Sequence, residues 1–541
     1  MSSTKNLSGL LAAALDEPGL ARARELAAQG GPNAEQVHIT APPAARPFTI
    51  AAIAGTARTV LAVTPTSREG EELAESLSGL LPHDSIAFYP SWETLPHERL
   101  SPRSDTVGRR LAILHRLAHP GRTPLRVVVA PVRSLLQPQL KGLGELEPVQ
   151  LTVGGTVDLT ELAHELTELA YTRVDLVEKR GEFAVRGGIL DIFPPTDEHP
   201  CRVEFFGDEI DSIRSFSVAD QRSLDKVSSL FAPPCRELLL SPGVRERAAE
   251  LGEQHPGLSE MCEQLAQGIP VEGMESLTPA LLGADQLELF VQTLPRGTLV
   301  VQCDPERIRS RAHDLVATSE EFLQASWAAA ATGGKAPIDL DAAAFRSLGD
   351  VHEAASDNNC PWWSIGPFGV TEDLSPAQIE ERKRAAELAA ITGEGFESLD
   401  IRDETSVTVA ATPATLYHGN SAKVTNDVRQ WTSDGWRVCL VFAGHGLAQR
   451  AVEQLAEAGI GASLADSIVT PGGQADFDHE PPDEPEQAEQ SGVSASLNQP
   501  FVPIVEASEP EPDRAVAAPA GTMTELRPGH VAVTVGGLAH G

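Results

Sequence analysis

Residues 181–218 read GEFAVRGGILDIFPPTDEHPCRVEFFGDEIDSIRSFSV, and this stretch decides the fold. Short runs of alternating apolar and polar residues are cut by Gly187-Gly188, by Pro194-Pro195-Thr196-Asp197 and by Gly207-Asp208. Gly, Pro and Asp at that spacing supply tight reversals, so the segment predicts an antiparallel meander. Successive side chains point to opposite faces of a strand. Over 201–206, Cys201, Val203 and Phe205 therefore share one face, and Arg202, Glu204 and Phe206 the other. Over 182–186, Phe183 and Val185 face one way, and Glu182, Ala184 and Arg186 the other. The apolar face suits the helix that the pattern predicts over 159–169. The opposite face presents Arg186, Arg202, Glu204 and Phe206. A phenylalanine flanked by arginines has the composition of a protein-interaction hot spot; a solvated face with an incidental Phe is the plainer alternative.

Outward from this module the pattern changes. Residues 1–147 alternate helical and strand signals: a helix over 10–26, apolar runs at 59–64, 84–90 and 125–130, and helices over 68–81 and 106–117. Such alternation predicts an α/β layer with a parallel sheet. Residues 148–240 form the small α+β module, and 241–345 return to helices with one strand at 297–302. Residues 346–541 hold a further α/β unit, in which strand 436–442 runs through Gly444-His445-Gly446 into a helix over 447–455. A last strand is expected at 529–535, with no visible pairing partner. Pro- and Glu-rich residues 471–520 lack periodicity and read as a disordered acidic insertion.

The chain has 541 residues, 42 Lys+Arg against 77 Asp+Glu, a net charge of −35 and only 5% aromatics. That balance argues against broad coating of DNA or membrane, which needs clustered cations. Part of the acidity is local, since the stretch between Arg450 and Arg514 holds 14 Asp and Glu and no Lys or Arg. The six cysteines are scattered without a C-x-x-C pair, the pattern of reduced, buried thiols. There is neither an apolar run of about 18 residues nor a basic segment leading into an apolar one at the N-terminus. The expectation is a soluble, cytoplasmic protein with no membrane contact.

A phosphate-binding loop is the motif to seek in an α/β chain of this length. The nearest match, Ala331-Thr332-Gly333-Gly334-Lys335-Ala336, lacks the first glycine and the magnesium-binding hydroxyl. The turns at Gly55 and Gly444 lack a lysine and carboxylate set, yet they keep open a rival reading, a nucleotide-dependent enzyme with an unorthodox phosphate turn. His115 and His119 stand four apart, but no third metal ligand is apparent in sequence. No catalytic, cofactor-binding or metal-binding set emerges.

Two stretches carry a family resemblance. Tyr89-Pro90-Ser91-Trp92-Glu93-Thr94-Leu95-Pro96-His97-Glu98-Arg99-Leu100-Ser101-Pro102, followed by Asp105 and Arg109, resembles the N-terminal module of the bacterial transcription-repair coupling factors. Residues 181–223 resemble the second domain that this family shares with the excision-repair protein UvrB. Weaker similarity continues through Gly273-Met274-Glu275, Cys303-Asp304-Pro305-Glu306 and Gly435-Trp436-Arg437. The resemblance implies a degenerate P-loop-NTPase-like (UvrB-like) domain in two parts, 1–147 and 241–345, whose phosphate loop is lost. The small α+β domain at 148–240 is inserted in it, and a second α/β domain follows at 346–541. It also implies that the inserted domain docks the damage-recognition ATPase UvrA, with Arg186, Arg202 and Phe206 at the matching contact positions. Trp92, His97 and Arg99 would fix loops. Family members continue into domains that contact RNA polymerase and drive along DNA with ATP and magnesium, displacing stalled polymerase. Those motifs are missing here, so the expectation is a truncated, UvrA-recruiting region without the motor, needing no cofactor of its own and ending inside its third domain.

Overall fold

The computed structural model describes residues 7–31, 34–56, 58–95, 100–121, 123–331, 344–368, 405–412, 415, 417–442, 444–465, 467–468, 523–524 and 531–535. The backbone groups into two units that interleave in sequence. One comprises Met1–Ala62, Glu71–Ile86 and Trp362–Gly541; the other comprises Val63–Gly70 and Ala87–Pro361. The expected acidic insertion at 471–520 lies outside the described residues. The apolar runs Val60–Thr64, Val127–Pro131 and Leu299–Cys303 are strands buried at every position. Continuous burial is the signature of α/β strands covered on both faces.

In the first unit, strand Gln36–Thr40 lies between Trp362–Gly366 and Thr405–Thr408, parallel to both. Val37, Ile39, Trp363 and Ile365 are buried there, and the Trp363 indole donates to the Ala34 carbonyl at 2.7 Å. The helix expected over 10–26 is two helices, Ser8–Ala14 and Pro18–Gln29. Pro18 lacks an N–H and disfavours helical geometry in the residue before it, so Glu17 becomes a cap that accepts from the Leu20 amide at 2.7 Å. A second correction concerns the last strand. Val531–Val535 has partners: it lies parallel between Val438–Phe442 and Ala462–Ala465. Helices Ser421–Ser433 and His445–Glu457 pack beside these strands around Val428, Ala448 and Leu455.

In the second unit, the α+β module is entered and left through a two-stranded antiparallel stem, Val149–Thr152 against Ser229–Ala232. Its six strands are β1 (Thr172–Arg173), β2 (Glu182–Arg186), β3 (Ile189–Ile192), β4 (Cys201–Phe206), β5 (Glu209–Phe216) and β6 (Ser223–Val227). They lie in the order β6-β5-β4-β3-β2-β1, antiparallel throughout except that β1 joins β2 in parallel. Helix Leu159–Glu168 buries Leu162 and Leu166 among Phe183, Leu190, Ile192, Cys201, Val203 and Ile213. At about 1.5–3 kcal/mol for each fully buried side chain, this one face carries most of the module's cohesion.

Past the stem, Glu237 meets a guanidinium with no exposed surface. Arg110, on helix Ser104–Ala118, donates from Nε to Glu237 at 2.6 Å, from Nη1 to the Pro90 carbonyl at 3.1 Å and from Nη2 to Gln139 at 3.2 Å. The Trp92 indole donates to the same Glu237 oxygen at 2.9 Å. Arg110 also lies 4.5 Å from the centre of the Tyr89 ring, which stacks on Phe290. Removing one partner of such a pair leaves a buried charge and costs about 3–5 kcal/mol.

All six cysteines are free thiols, and burial pushes those of Cys201, Cys235 and Cys439 up to about 12. No helix among the described residues is long and apolar enough to cross a membrane.

One carboxyl in the turn between β3 and β4 sets a pH dependence. Burial pushes Asp197 up to about 6, against the lowering effects of Thr196 and Arg180. A carboxyl with a raised folded pKa binds more protons folded than unfolded, so its contribution is largest below the unfolded value and is lost as pH rises. Melting temperature should therefore carry a component that falls between about pH 4 and pH 6. Asp197→Asn removes that component and melts above the parent at pH 7. Identical pH profiles for parent and variant would refute the assignment.

Candidate partner-docking face

Two hairpins aim the outward face of the module. Arg186 pairs with Ile189 across Gly187-Gly188, and Phe206 pairs with Glu209 across Gly207-Asp208. Gly187 and Gly207, each first in its two-residue turn, adopt φ of 62° and 65°. A side chain there would be strained, and this is the glycine position of the type II′ hairpin.

Strand pairing builds two cross-strand rows on that face. One runs Ala184, Asp191, Arg202, Arg214, Lys226; the next runs Arg186, Ile189, Glu204, Ser212. Like charges directly opposite repel, so the run Arg202, Arg214, Lys226 needs compensation. Glu204 supplies part of it, 3.9 Å from Arg214 and held by the Ser212 hydroxyl at 2.9 Å. Asp191 compensates Arg202. Its carboxylate accepts from Arg202 Nε at 2.6 Å, from Arg202 Nη2 at 2.9 Å and from Arg186 Nη2 at 2.7 Å.

Asp191 is 1% exposed, Arg202 22% and Arg186 52%. Burial of the carboxylate has a visible cause. Val177, Ala184, Phe193 and Phe216 form a small apolar cluster, and the Arg202 guanidinium lies 4.8 Å from the Phe216 ring centre. The hydrogen bonds to Asp191 are the largest influence on the Arg202 guanidinium and hold its pKa above the ordinary arginine value, against desolvation. The outward face is thus not simply solvated. One end is closed by apolar side chains, and the hairpin end is open.

Phe206 stands at that open end, 83% exposed, while Phe205 packs half-buried against the core of the module. The inner and outer assignment expected from period two holds along β4, although the β4–β5 register shifts between Glu204 and Phe205. The structure brings Arg186 and Arg202 together on one carboxylate. Phe206 lies four residues along the strand from Arg202, about 13 Å at the usual rise. Sequence reasoning missed Asp191. Its signal was a lone acid in the apolar run Ile189-Leu190-Asp191-Ile192, facing the same way as the two arginines.

The other sequence candidates resolve differently. Trp92 is buried on Glu237, as a loop-fixing residue would be, whereas His97 and Arg99 lie outside the described residues, as do Thr332–Ala336 of the nearest phosphate-loop match. Gly55 closes the C-terminal end of helix Arg46–Ala54, so it cannot present helix N-terminal amides. The turn that does occupy the strand-to-helix position, Ala41–Ala45 after strand Gln36–Thr40, was not singled out in the sequence. Pro42 and Pro43 remove N–H groups from it, Pro47 removes one from the first turn of the helix that follows, and the Ala41 and Ala45 amides are spent on the Gly366 and Pro42 carbonyls. Such a turn has few amides left to cradle phosphate. Gly444 does begin helix His445–Glu457, but without a side-chain cap. His119 finds a carboxylate that the sequence spacing did not show, Glu145 at 3.4 Å. Among the described residues, no group of three or more His, Cys, Asp or Glu could hold a metal ion.

Comparison with known proteins defines the class. Residues 149–237, which run from the stem to Glu237, match the family described as UvrB interaction domain. The chain is 42% identical over 485 residues to the transcription-repair-coupling factor of Mycobacterium bovis, covering 86% of this chain and 36% of that protein. It is 34% identical over 204 residues to that of Bacillus subtilis, covering 38% of this chain and 17% of that protein. It is 30% identical over 217 residues to the UvrABC system protein B of Streptomyces avermitilis, covering 36% of this chain and 30% of that protein. The chain carries a UvrB-type interaction module on a mixed α/β body. Over most of its length it is similar to the transcription-repair-coupling factors. It spans about a third of the length of the curated relatives that it matches most extensively.

The adjacent phenylalanines test the geometry of the face without any partner. Phe205→Ala should lower stability by about 2–3 kcal/mol, because it empties packing against the core. Phe206→Ala should change it by less than about 0.5 kcal/mol, as exposed substitutions do. Chemical denaturation of both variants decides, and the reverse ranking would show the β4 faces to be exchanged.

Proposed function

We propose that this chain recruits UvrA through the outward face of its inserted module, as the UvrB-like region of a transcription-repair coupling factor. The observation that carries the reading is the match of residues 149–237 to the UvrB interaction domain, together with the arginine pair and exposed phenylalanine on that module's open face. Arg186 and Arg202 offer guanidinium N–H groups to acidic groups on UvrA, and Phe206 enters an apolar pocket on it. In the longer proteins of this family, ATP-driven displacement of RNA polymerase stalled on damaged DNA would hand the lesion to the excision machinery at this surface.

Truncating an aromatic anchor typically costs about 2–4 kcal/mol of binding. Titration of the chain with its cognate UvrA should therefore show Phe206→Ala weakened by that amount at unchanged melting temperature. Full affinity in Phe206→Ala would remove Phe206 from the contact. The rival reading, a nucleotide-dependent enzyme, meets the proline-rich turn at Ala41–Ala45, whose amides are largely absent or already bonded. Titration with ATP and magnesium should accordingly give no saturable binding below about millimolar concentration. Micromolar, magnesium-dependent binding would revive the enzyme reading.

A further inference from the structure

We infer that Asp191 is the positioning residue of the docking face, and that UvrA reads two arginines locked by it rather than a diffuse positive charge. The inference rests on the docking role proposed above and goes beyond it, because Asp191 itself is hidden. At 1% exposure its carboxylate is inaccessible to a partner, yet it accepts three N–H bonds of 2.6–2.9 Å from the two arginines.

Its position follows from the register. Asp191 sits directly between Ala184 on β2 and Arg202 on β4, and Arg186 reaches it from the next row. The small Ala184 leaves room on that side, and Phe216 closes the guanidinium from the other. Arg202 is gripped on two of its nitrogens, which fixes the plane of the guanidinium and the direction of its remaining N–H groups. Arg186 is held at one nitrogen, half-exposed, with the rest of its fork toward solvent. Two long cationic side chains that would otherwise sample many rotamers are thereby ordered before a partner arrives, and ordering in advance lowers the cost of binding.

Asp191→Asn gives the test an unusual sign. The variant keeps the shape of the side chain and raises the positive charge of the face. Were charge alone recognised, an acidic partner would bind it more tightly. Positioning predicts the opposite: a UvrA dissociation constant about ten- to hundred-fold weaker, the scale of lost charge-assisted hydrogen bonds. The measurement is a titration of cognate UvrA into the full chain, with melting temperature followed in parallel.

Arg202→Lys keeps every charge but cannot make the two-nitrogen grip, and should weaken binding about ten-fold; it also serves if Asp191→Asn fails to fold. The double variant should bind no worse than the weaker single one, because both remove the same constraint. Affinity of Asp191→Asn equal to or tighter than the parent, full affinity in Arg202→Lys, or additive losses in the double variant would each overturn the inference. Phe206→Ala measured alongside separates the two ideas. If it loses affinity while Asp191→Asn does not, only the positioning role fails. If both bind as the parent does, the docking face itself is misplaced.

Discussion

The arrangement of the second unit depends on a guanidinium that has no contact with water. Arg110 and Glu237 are 127 positions apart, and each would be prohibitively placed without the other. Their pairing ties the helix Ser104–Ala118 to the segment that follows the exit strand Ser229–Ala232 of the inserted module. The stem strands converge just before that point, and the neighbouring Arg236, paired with the buried Glu275 at 2.6 Å, adds a second tie where the module leaves its base. Trp92 and Gln139 complete the hydrogen bonding, and Tyr89 and Phe290 supply the apolar walls. The distinctive YPSW segment at 89–92 is explained by this packing, with no need to assign it chemistry.

The same device recurs on the module itself, at the surface instead of the core. Asp191 is a buried acid that fixes cations, as Glu237 is, but its two arginines reach outward. An interaction module benefits from this division. The inner face of the sheet supplies most of the apolar burial through Phe183, Leu190, Ile192 and Val203, and the outer face carries its charge where Asp191 pairs it. Hairpins with glycine at positive φ set the ends of the strands, and they leave Phe206 at a corner where a partner can close over it.

Much of this was legible in the sequence. Period-two alternation placed Phe205 inward and Phe206 outward, and Gly-Gly and Gly-Asp marked the two hairpins, because both signals are local. What escaped notice was long-range or quiet. Asp191 was hidden because its meaning lies in the register of three strands, which no single run displays. Arg110 and Glu237 gave no signal, since nothing in either neighbourhood marks a partner so far along the chain. Strand Val531–Val535 looked solitary for the same reason: its neighbours Val438–Phe442 and Ala462–Ala465 precede it by many residues. The break at Pro18 is different. The local rule was available there, but Leu/Ala spacing continues across the proline and suggested one helix where there are two.

The central claim is that UvrA contacts the open end of the outward face. Hydrogen–deuterium exchange of the chain, alone and saturated with cognate UvrA, tests it most directly. The account predicts slowed exchange at the two hairpins, residues 186–189 and 206–209, and along β4, with little change on the helix Leu159–Glu168 that covers the inner face. Protection of that helix, with both hairpins exchanging as in the free chain, would contradict it.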